Sequence, residues 1–393
     1  MMPIASFLPV VNSQQKLVAL LPDFPERSDD AVTQLLTILS QAKGFERLSN
    51  LQFILPLTTP LVLPPDFENR DYCKNLVLCF IEAECESKEA QQKLKYLSQA
   101  GVRMMMDDFN SKSSLIWPDT KGIAVNCQSG IPAHAQPWIV GLHQSQHLAR
   151  NVNSVSCLSQ AQEAGFSLFS GSFAFSAENN TRSTDPTARS RLLKLLGLVS
   201  KDADAKELES LFKQDPTLSF MLFKLVSSAA FAQTVKVTSF VQAINLLGRR
   251  QLQRWLQLLL YARQNNHGSS LNPLMLRAAF RVSMMEALCR QQGGDRDQQD
   301  AAFMVGMFSL LDLLFASPLW EIVKPLSLVD EVRIALIDKA GQMGEFLILT
   351  EQADVAYQSG LPEALETLGV SMDIYYESLV QAYCWVNQVC QEL

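Results

Sequence analysis

A chain of 393 residues is too long for a single ordinary hydrophobic core, so we expect roughly two domains. With 48% hydrophobic and 19% charged residues, the composition is that of a globular protein and excludes a disordered one. The formal net charge is −7, and no long Lys/Arg run exists, which argues against nucleic acid as a partner.

The first 175 residues alternate short apolar runs with amphipathic segments. LVALL (17–21), LQFILPL (51–57) and NLVLCFI (75–81) have the length of strands, whereas DAVTQLLTILSQAK (30–43) and KEAQQKLKYLSQAG (88–101) have helical periodicity. This alternation predicts βα units and a mostly parallel sheet. Seven or eight such runs suit a β/α barrel, but the segment is short against the usual ~250 residues. We therefore expect a compressed or incomplete barrel.

The stretch from Ser176 to Ala188, SAENNTRSTDPTA, is polar and without periodicity. A segment of this composition is typical of a linker. We therefore predict an N-terminal domain at 1–175, a linker at 176–188 and a second domain at 189–393.

The second domain has helical periodicity throughout. One helix is predicted to begin at Pro216 with Leu225 on its apolar face, a second at Ser239 with Gly248 as its stop, and a third over Arg249–Arg263. The last segment, 371–393, has apolar residues on more than one side. It either belongs to the helical core or docks on the first domain.

Several segments of the second half resemble the HDOD signalling domain. They are DPTLS (215–219), KLVSSAAF (224–231), AINLLG (243–248) and RRQLQRW (249–255). The resemblance implies an all-α relative of the HD phosphohydrolases that lacks their metal-binding residues. FMVGMFSLLDLLF (303–315) resembles the segment that carries the His-Asp pair in HD enzymes, and Ser309 and Leu310 stand about where that pair would be.

The first half resembles EAL domains, which hydrolyse cyclic di-GMP. The resemblance rests on FLPVVNSQQKLVALLPDF (7–24), MMMDDFN (104–110) and EAGFSLFSGSFAFSA (163–177). It implies a β/α barrel and, in active members, two divalent metals held at strand ends by several carboxylates and an Asn.

Most of the implied metal ligands are missing. Where the signature Glu-Ala-Leu would stand, the chain reads LLPD (20–23), and the other ligand strands carry Leu55, Cys79, Asn126 and Asn153. Asp107, Asp108 and Glu82 remain as vestigial positions of the motif. We interpret them as ordinary strand-end charges, with Asp107 or Asp108 capping a helix or pairing with Arg103. Ser170 stands in place of the closing Gln, which argues against nucleotide binding.

These departures predict a protein without a catalytic residue, a metal or a cofactor. His143 and His147 are four residues apart but lack an HExxH pattern or a nearby carboxylate. We expect a catalytically inactive signal-transduction protein that acts through protein partners, in cyclic di-GMP-related or other bacterial regulation. The alternatives are a cyclic di-GMP phosphodiesterase and a cyclic di-GMP receptor without turnover.

The expected location is the cytoplasm, with no role for a membrane. The eight cysteines form no CxxC pair, and several lie in apolar runs, as is typical of reduced, buried thiols. The first residues lack a charged region followed by a long apolar core, and no uncharged apolar run reaches the ~20 residues of a membrane helix.

Overall fold

The computed structural model describes residues 3–64, 66–107, 122–142, 145–176, 186–214, 218, 222, 239–262, 272–326 and 328–392. The helix predicted from Pro216 to about Ala230 lies outside the described residues except at Leu218 and Leu222, so Leu225 is not described. Asp108, His143 and most of the predicted linker also lie outside them. The predicted domain boundaries therefore stay a prediction. Helix α6 (Pro186–Ser200) begins inside the last residues assigned to the linker.

Within the described residues, the N-terminal half contains one eight-stranded sheet with the order β5-β4-β3-β2-β1-β8-β7-β6. Its strands are β1 (Ser6–Asn12), β2 (Leu17–Asp23), β3 (Gln52–Leu57), β4 (Leu76–Ile81), β5 (Arg103–Asp107), β6 (Ala124–Asn126), β7 (Leu148–Arg150) and β8 (Leu168–Phe169). Strand β1 is antiparallel to β2 and β8, and the other pairings are parallel. A parallel bridge between Met106 and Ile123 joins β5 to β6 and nearly closes the sheet into a barrel. The predicted compressed β/α barrel is confirmed.

Five helices of this half are α1 (Asp29–Gln41), α2 (Gly44–Arg47), α3 (Lys88–Gln99), α4 (Gln136–Gly141) and α5 (Val155–Glu163). Helices α1, α3 and α5 begin after Ser28, Ser87 and Ser154. The hydroxyl of each serine accepts a hydrogen bond from the main-chain N–H three residues later in the chain. Each serine thus satisfies one of the unpaired amides at a helix start.

Apolar side chains fill the interior of the barrel. They come from alternate positions of the strands: Leu8, Val10, Ala19, Leu21, Ile54, Val77, Cys79, Met105, Ala124, Leu148 and Leu168. Because successive side chains of a strand point to opposite faces, the next inward position of five strands falls at their carboxyl ends. Those positions are Asp23, Asp107, Asn126, Arg150 and Ser170. We call this polar end of the barrel the mouth.

The described part of the C-terminal half is all helical, as predicted. Besides α6, it contains α7 (Ala205–Phe212), α8 (Phe240–Leu247), α9 (Arg249–Ala262), α10 (Pro273–Gln291), α11 (Arg296–Phe308), α12 (Leu311–Phe315), α13 (Leu319–Val323), α14 (Asp330–Ile337), α15 (Gly341–Ala353), α16 (Gly360–Thr367) and α17 (Met372–Glu392). Among the described helices, none has both the length and the apolar character needed to cross a membrane.

Helix α10 is buried along most of its length and forms the centre of this half. Helix α11 crosses it closely at Gly306. A Cβ atom at residue 306 would lie 2.8 Å from the carbonyl of Arg281 and the Cα atom of Val282. Only glycine permits this approach, which brings Ser309 near Arg281.

The last helix, α17, belongs to the helical core and also docks on the barrel, so both readings of its sequence are correct. Its phenol groups donate hydrogen bonds to carbonyls at and just before the start of β1: Tyr376 to Pro3 (2.6 Å), Tyr375 to Ala5 (3.0 Å) and Tyr383 to Phe7. Strand β8 pairs only with Val11 and Asn12 of β1. The tyrosines therefore satisfy backbone groups in a stretch that β8 does not reach.

Removal of one of these phenols tests the docking. In Tyr375→Phe the Ala5 carbonyl loses its donor inside a fully buried site, so we expect the free energy of unfolding to fall by about 1–3 kcal/mol. Tyr96→Phe is the control, because Tyr96 is exposed and bonds to Glu68 on the surface; it should melt like the parent. Equal urea midpoints for Tyr375→Phe, Tyr96→Phe and the parent would contradict this view of the interface.

Candidate functional site

Two of the three vestigial EAL positions are described, and both are buried. Asp107 ends β5 with 1% of its surface exposed, and Glu82 follows β4 with 4% exposed. Asp108 lies outside the described residues. A carboxylate buried this deeply requires compensation of its charge.

Two arginines hold the Asp107 carboxylate. Arg27 Nη1 lies 2.8 Å from Oδ2, and Arg150 Nη2 donates to Oδ1. Arg27 comes from the loop between β2 and α1, and Arg150 ends β7. Each carboxylate oxygen therefore faces a permanent cation.

Arg27 also connects neighbouring strands. Its Nη2 atom donates to the carbonyl of Leu57 at 2.7 Å and to that of Cys79 at 2.6 Å. One side chain thus joins the ends of β3 and β4 to the carboxylate at the end of β5. The predicted pairing of Asp107 with Arg103 is wrong, because Arg103 begins β5 and donates to the Lys74 carbonyl at the other end of the strand.

This arrangement does not suit a divalent cation. A metal beside Asp107 would meet two guanidinium groups, and like charges repel strongly where water is partly excluded. Magnesium and calcium also require several oxygen ligands. Among the described residues, no group of three His, Cys, Asp or Glu side chains is placed to hold a metal.

The side chain of His147 holds main-chain groups together. Its Nδ1 atom accepts the N–H of Ile123 at 3.3 Å, so Nε2 carries the proton and donates to the Leu142 carbonyl at 3.1 Å. Burial lowers the pKa of His147 below its ordinary value. Both ring nitrogens thus bond to main-chain groups.

Asp23 is a second carboxylate of the mouth, and it reaches the helical half. Its Oδ2 atom accepts the N–H of Tyr357 at 2.8 Å, from the loop between α15 and α16. Burial raises the pKa of Asp23, while the Tyr357 N–H and the charge of Arg150 oppose that rise. Sequence reasoning identified neither this contact nor Arg27, because both join segments far apart in the chain.

The replaced ligand positions have different surroundings. Leu21 and Cys79 belong to the apolar interior of the barrel, whereas Leu55 packs in the core outside it. The side-chain Oδ1 of Asn126 accepts from Asn151 Nδ2 at 3.0 Å, and Asn153 Oδ1 accepts from the hydroxyl of Ser172 at 3.0 Å.

The segment that resembles the His-Asp segment of HD enzymes lies beside an arginine. Ser309 Oγ accepts from Arg281 Nη1 at 3.1 Å and donates to the Gly306 carbonyl at 2.8 Å, while Leu310 is buried among apolar side chains. Arg281 Nη1 also lies 3.2 Å from Glu351 Oε1.

A buried ion network continues from Arg281. The Asp354 carboxylate, fully buried, accepts from Arg281 Nε at 2.9 Å and from Arg277 Nη1 at 3.1 Å. Burial raises the pKa of Asp354, and the two guanidinium groups oppose that rise. Arg277 Nη2 reaches out of the helical half to the Gly171 carbonyl at 2.8 Å, and its guanidinium lies over the ring of Phe175. The two halves thus meet at the segment that follows β8.

Comparisons with known proteins agree with this architecture. A family model of the HDOD domain matches residues 183–317. The chain is 25% identical over 341 residues to the cyclic di-GMP phosphodiesterase CdgJ of Vibrio cholerae, covering 84% of this chain and 76% of that protein. It is 29% identical over 247 residues to the uncharacterized protein YuxH of Bacillus subtilis, covering 62% of this chain and 59% of that one.

Solved EAL structures match the first part of the chain. The EAL enzyme Bd1971 in its cGMP-bound form is 13% identical with a TM-score of 0.36, covering 43% of this chain and 61% of that one. An EAL domain protein from Listeria monocytogenes is 14% identical with a TM-score of 0.35, covering 44% and 87%. The chain spans less than two thirds of YuxH and of the Bd1971 chain.

The fold is thus a β/α barrel followed by a helical half. The helical half contains an HDOD domain at 183–317, and the predicted EAL–HDOD resemblance is confirmed.

The ion pairs of Asp107 lead to a stability prediction. Asp107→Ala leaves two half-buried guanidinium groups without their shared anion, so we expect a loss of about 3–5 kcal/mol in the free energy of unfolding. Asp66→Ala breaks the exposed pair with Arg70 and should cost at most about 1 kcal/mol. Urea unfolding of both variants beside the parent measures the difference, and similar costs would contradict a buried, neutralised Asp107.

Proposed function

We propose that this chain is a catalytically inactive signalling protein of cyclic di-GMP-related regulation, acting through contacts with protein partners. The observation that carries the proposal is the neutralisation of Asp107 by Arg27 and Arg150 at the barrel mouth. The similarity to a cyclic di-GMP phosphodiesterase over 84% of the chain supports the signalling context.

Among the described residues, no carboxylate set at the mouth is placed to hold metals, which supports the proposal of an inactive protein. Two-metal phosphodiester hydrolysis needs carboxylates that hold two cations around the scissile phosphate, and the metals supply hydroxide and stabilise the developing charge. Guanidinium groups bind anions but do not lower the pKa of a coordinated water. Arg27 also uses Nη2 to bind two main-chain carbonyls, which supports a structural role for this side chain.

The helical half has a similar arrangement. Ser309 and Leu310 stand about where HD enzymes carry their His-Asp pair, and Arg281 lies beside Ser309. The acidic groups near it, Asp354 and Glu351, pair with arginine and lysine. These ion pairs support the proposal that the chain acts through its protein-binding surfaces and not through either buried centre.

Hydrolysis is the direct test. The purified chain, incubated with cyclic di-GMP and magnesium or manganese, should form no linear product above a protein-free blank, because the described residues of the mouth offer no carboxylate set for two metals. The parent, Asp107→Ala and the surface control Asp66→Ala should be equally silent.

A second candidate is a cyclic di-GMP phosphodiesterase, which the similarity to CdgJ favours. Turnover by the parent that persists in Asp66→Ala and vanishes in Asp107→Ala would establish this candidate and refute the inactive protein.

A third candidate, a receptor without turnover, is separated by calorimetry. We expect no binding heat with cyclic di-GMP, since Arg27 and Arg150 are already engaged by Asp107 and only about a fifth of each side chain is exposed. Saturable binding by the parent, lost in Arg150→Ala and kept in the surface variant Arg70→Ala, would identify a receptor instead.

A further inference from the structure

The loop between α15 and α16 belongs to the helical half but is fastened to the barrel. We call the segment 354–359 the strap. Its Tyr357 N–H donates to Asp23 Oδ2 at 2.8 Å, and Asp23 ends β2 at the mouth. A hydrogen bond to a carboxylate is stronger than one between neutral groups, so this is a firm attachment.

The other end of the strap is fixed in the helical core. The carboxylate of Asp354, which immediately follows α15, is held by Arg277 and Arg281, and its carbonyl accepts from Arg277 Nη1 at 2.6 Å. All of these groups are buried. Only two residues, Val355 and Ala356, separate this anchor from Tyr357.

Arg277 attaches the same network to the barrel a second time. Its Nη2 atom binds the Gly171 carbonyl just after β8. A Cβ atom at residue 171 would lie 2.2 Å from the Val152 oxygen, so the chain there is packed tightly on the end of the barrel. The attachment therefore joins the helical core to a fixed point of the mouth.

Several contacts of the helical half fall on one arc of the mouth. Strand β1 lies between β2 and β8 in the sheet. Tyr357 binds the end of β2, Arg277 binds the residue after the end of β8, and the tyrosines of α17 bind the start of β1, which lies at the same end because β1 is antiparallel. The helical half thus binds the barrel along the three neighbouring strands β2, β1 and β8.

We propose that the strap couples the buried ion network of the helical half to the barrel mouth. A partner that shifts α10 or α15 moves Asp354, and because the strap is short, Tyr357 is then pulled from Asp23 and this side of the mouth opens. The inference goes beyond the proposed function, because it holds whether or not the barrel binds or hydrolyses a nucleotide.

Hydrogen exchange of the full chain, read by mass spectrometry with residue-level fragmentation, tests the barrel anchor. In Asp23→Ala the Tyr357 amide loses its acceptor, so its exchange should accelerate about tenfold or more while α10 keeps its protection. Asp29→Ala is the matched control. Asp29 accepts the Thr58 N–H at 2.7 Å within the barrel, so its loss should accelerate exchange at Thr58 and leave Tyr357 unchanged.

The helical anchor is tested with Glu351→Gln. This change removes an anion from Arg281 and Lys339 while keeping the shape of the side chain, and coupling requires faster exchange at Tyr357. Asp23→Asn, which retains a neutral acceptor, serves if Asp23→Ala does not fold, and it should accelerate exchange at Tyr357 by a smaller factor.

Two results would overturn the proposal. One is a Tyr357 amide that exchanges as fast in the parent as in the folded Asp23 variant. The other is exchange at Tyr357 that is unchanged in Glu351→Gln, which would make the strap a static contact without coupling. Neither result depends on catalysis. The coupling proposal can therefore be wrong while the proposed function is right, and the proposed function can be wrong while the coupling proposal is right.

Discussion

A carboxylate that is removed from water has to be neutralised, and both halves of this chain meet that constraint with two arginines. Asp107 is held by Arg27 and Arg150, and Asp354 by Arg277 and Arg281. Each pair also organises its surroundings, because a guanidinium has donors to spare after it has paired. Arg27 ties three strand ends together, and Arg277 ties the helical core to the barrel. The architecture at both centres therefore depends on buried ion pairs, in which the loss of one partner costs far more than at a surface.

A guanidinium and a divalent metal both neutralise a carboxylate, but they differ in what they leave available. A metal keeps open coordination positions and activates the water that fills them. A guanidinium is planar and always protonated, so it neutralises a carboxylate without activating a water molecule. This physical difference, more than the absence of particular residues, is the basis of the proposal that the barrel is inactive.

The parts of the fold set by local pattern could be predicted, and the parts set by distant contacts could not. Apolar runs such as 51–57 and 75–81 mark strands because burial on both faces leaves no polar alternation, and Ser239 and Gly248 mark the ends of α8 by their capping chemistry. Asp107 and Glu82 were found as candidates from the EAL resemblance. For Asp107 or Asp108 we expected a helix cap or a pair with Arg103, whereas Arg27, which pairs with Asp107, is 80 residues away in the chain. Tyr357 contributes only its main-chain N–H at Asp23, so no side-chain pattern could have revealed it.

The last strands of the barrel are short, so the start of β1 needs partners that the helical half supplies. Strands β6, β7 and β8 have three, three and two residues, and β8 leaves the start of β1 without a strand partner on that side in the described part of the chain. An uncovered strand edge exposes backbone groups that seek other partners. Helix α17 covers that edge with three phenols, and the Phe7 ring packs against those of Tyr376 and Tyr383. This helix lies beyond the HDOD match, which ends at 317. The segment after the matched domain therefore completes the barrel, and the same interface that stabilises the compressed barrel gives the helical half its contact with the mouth.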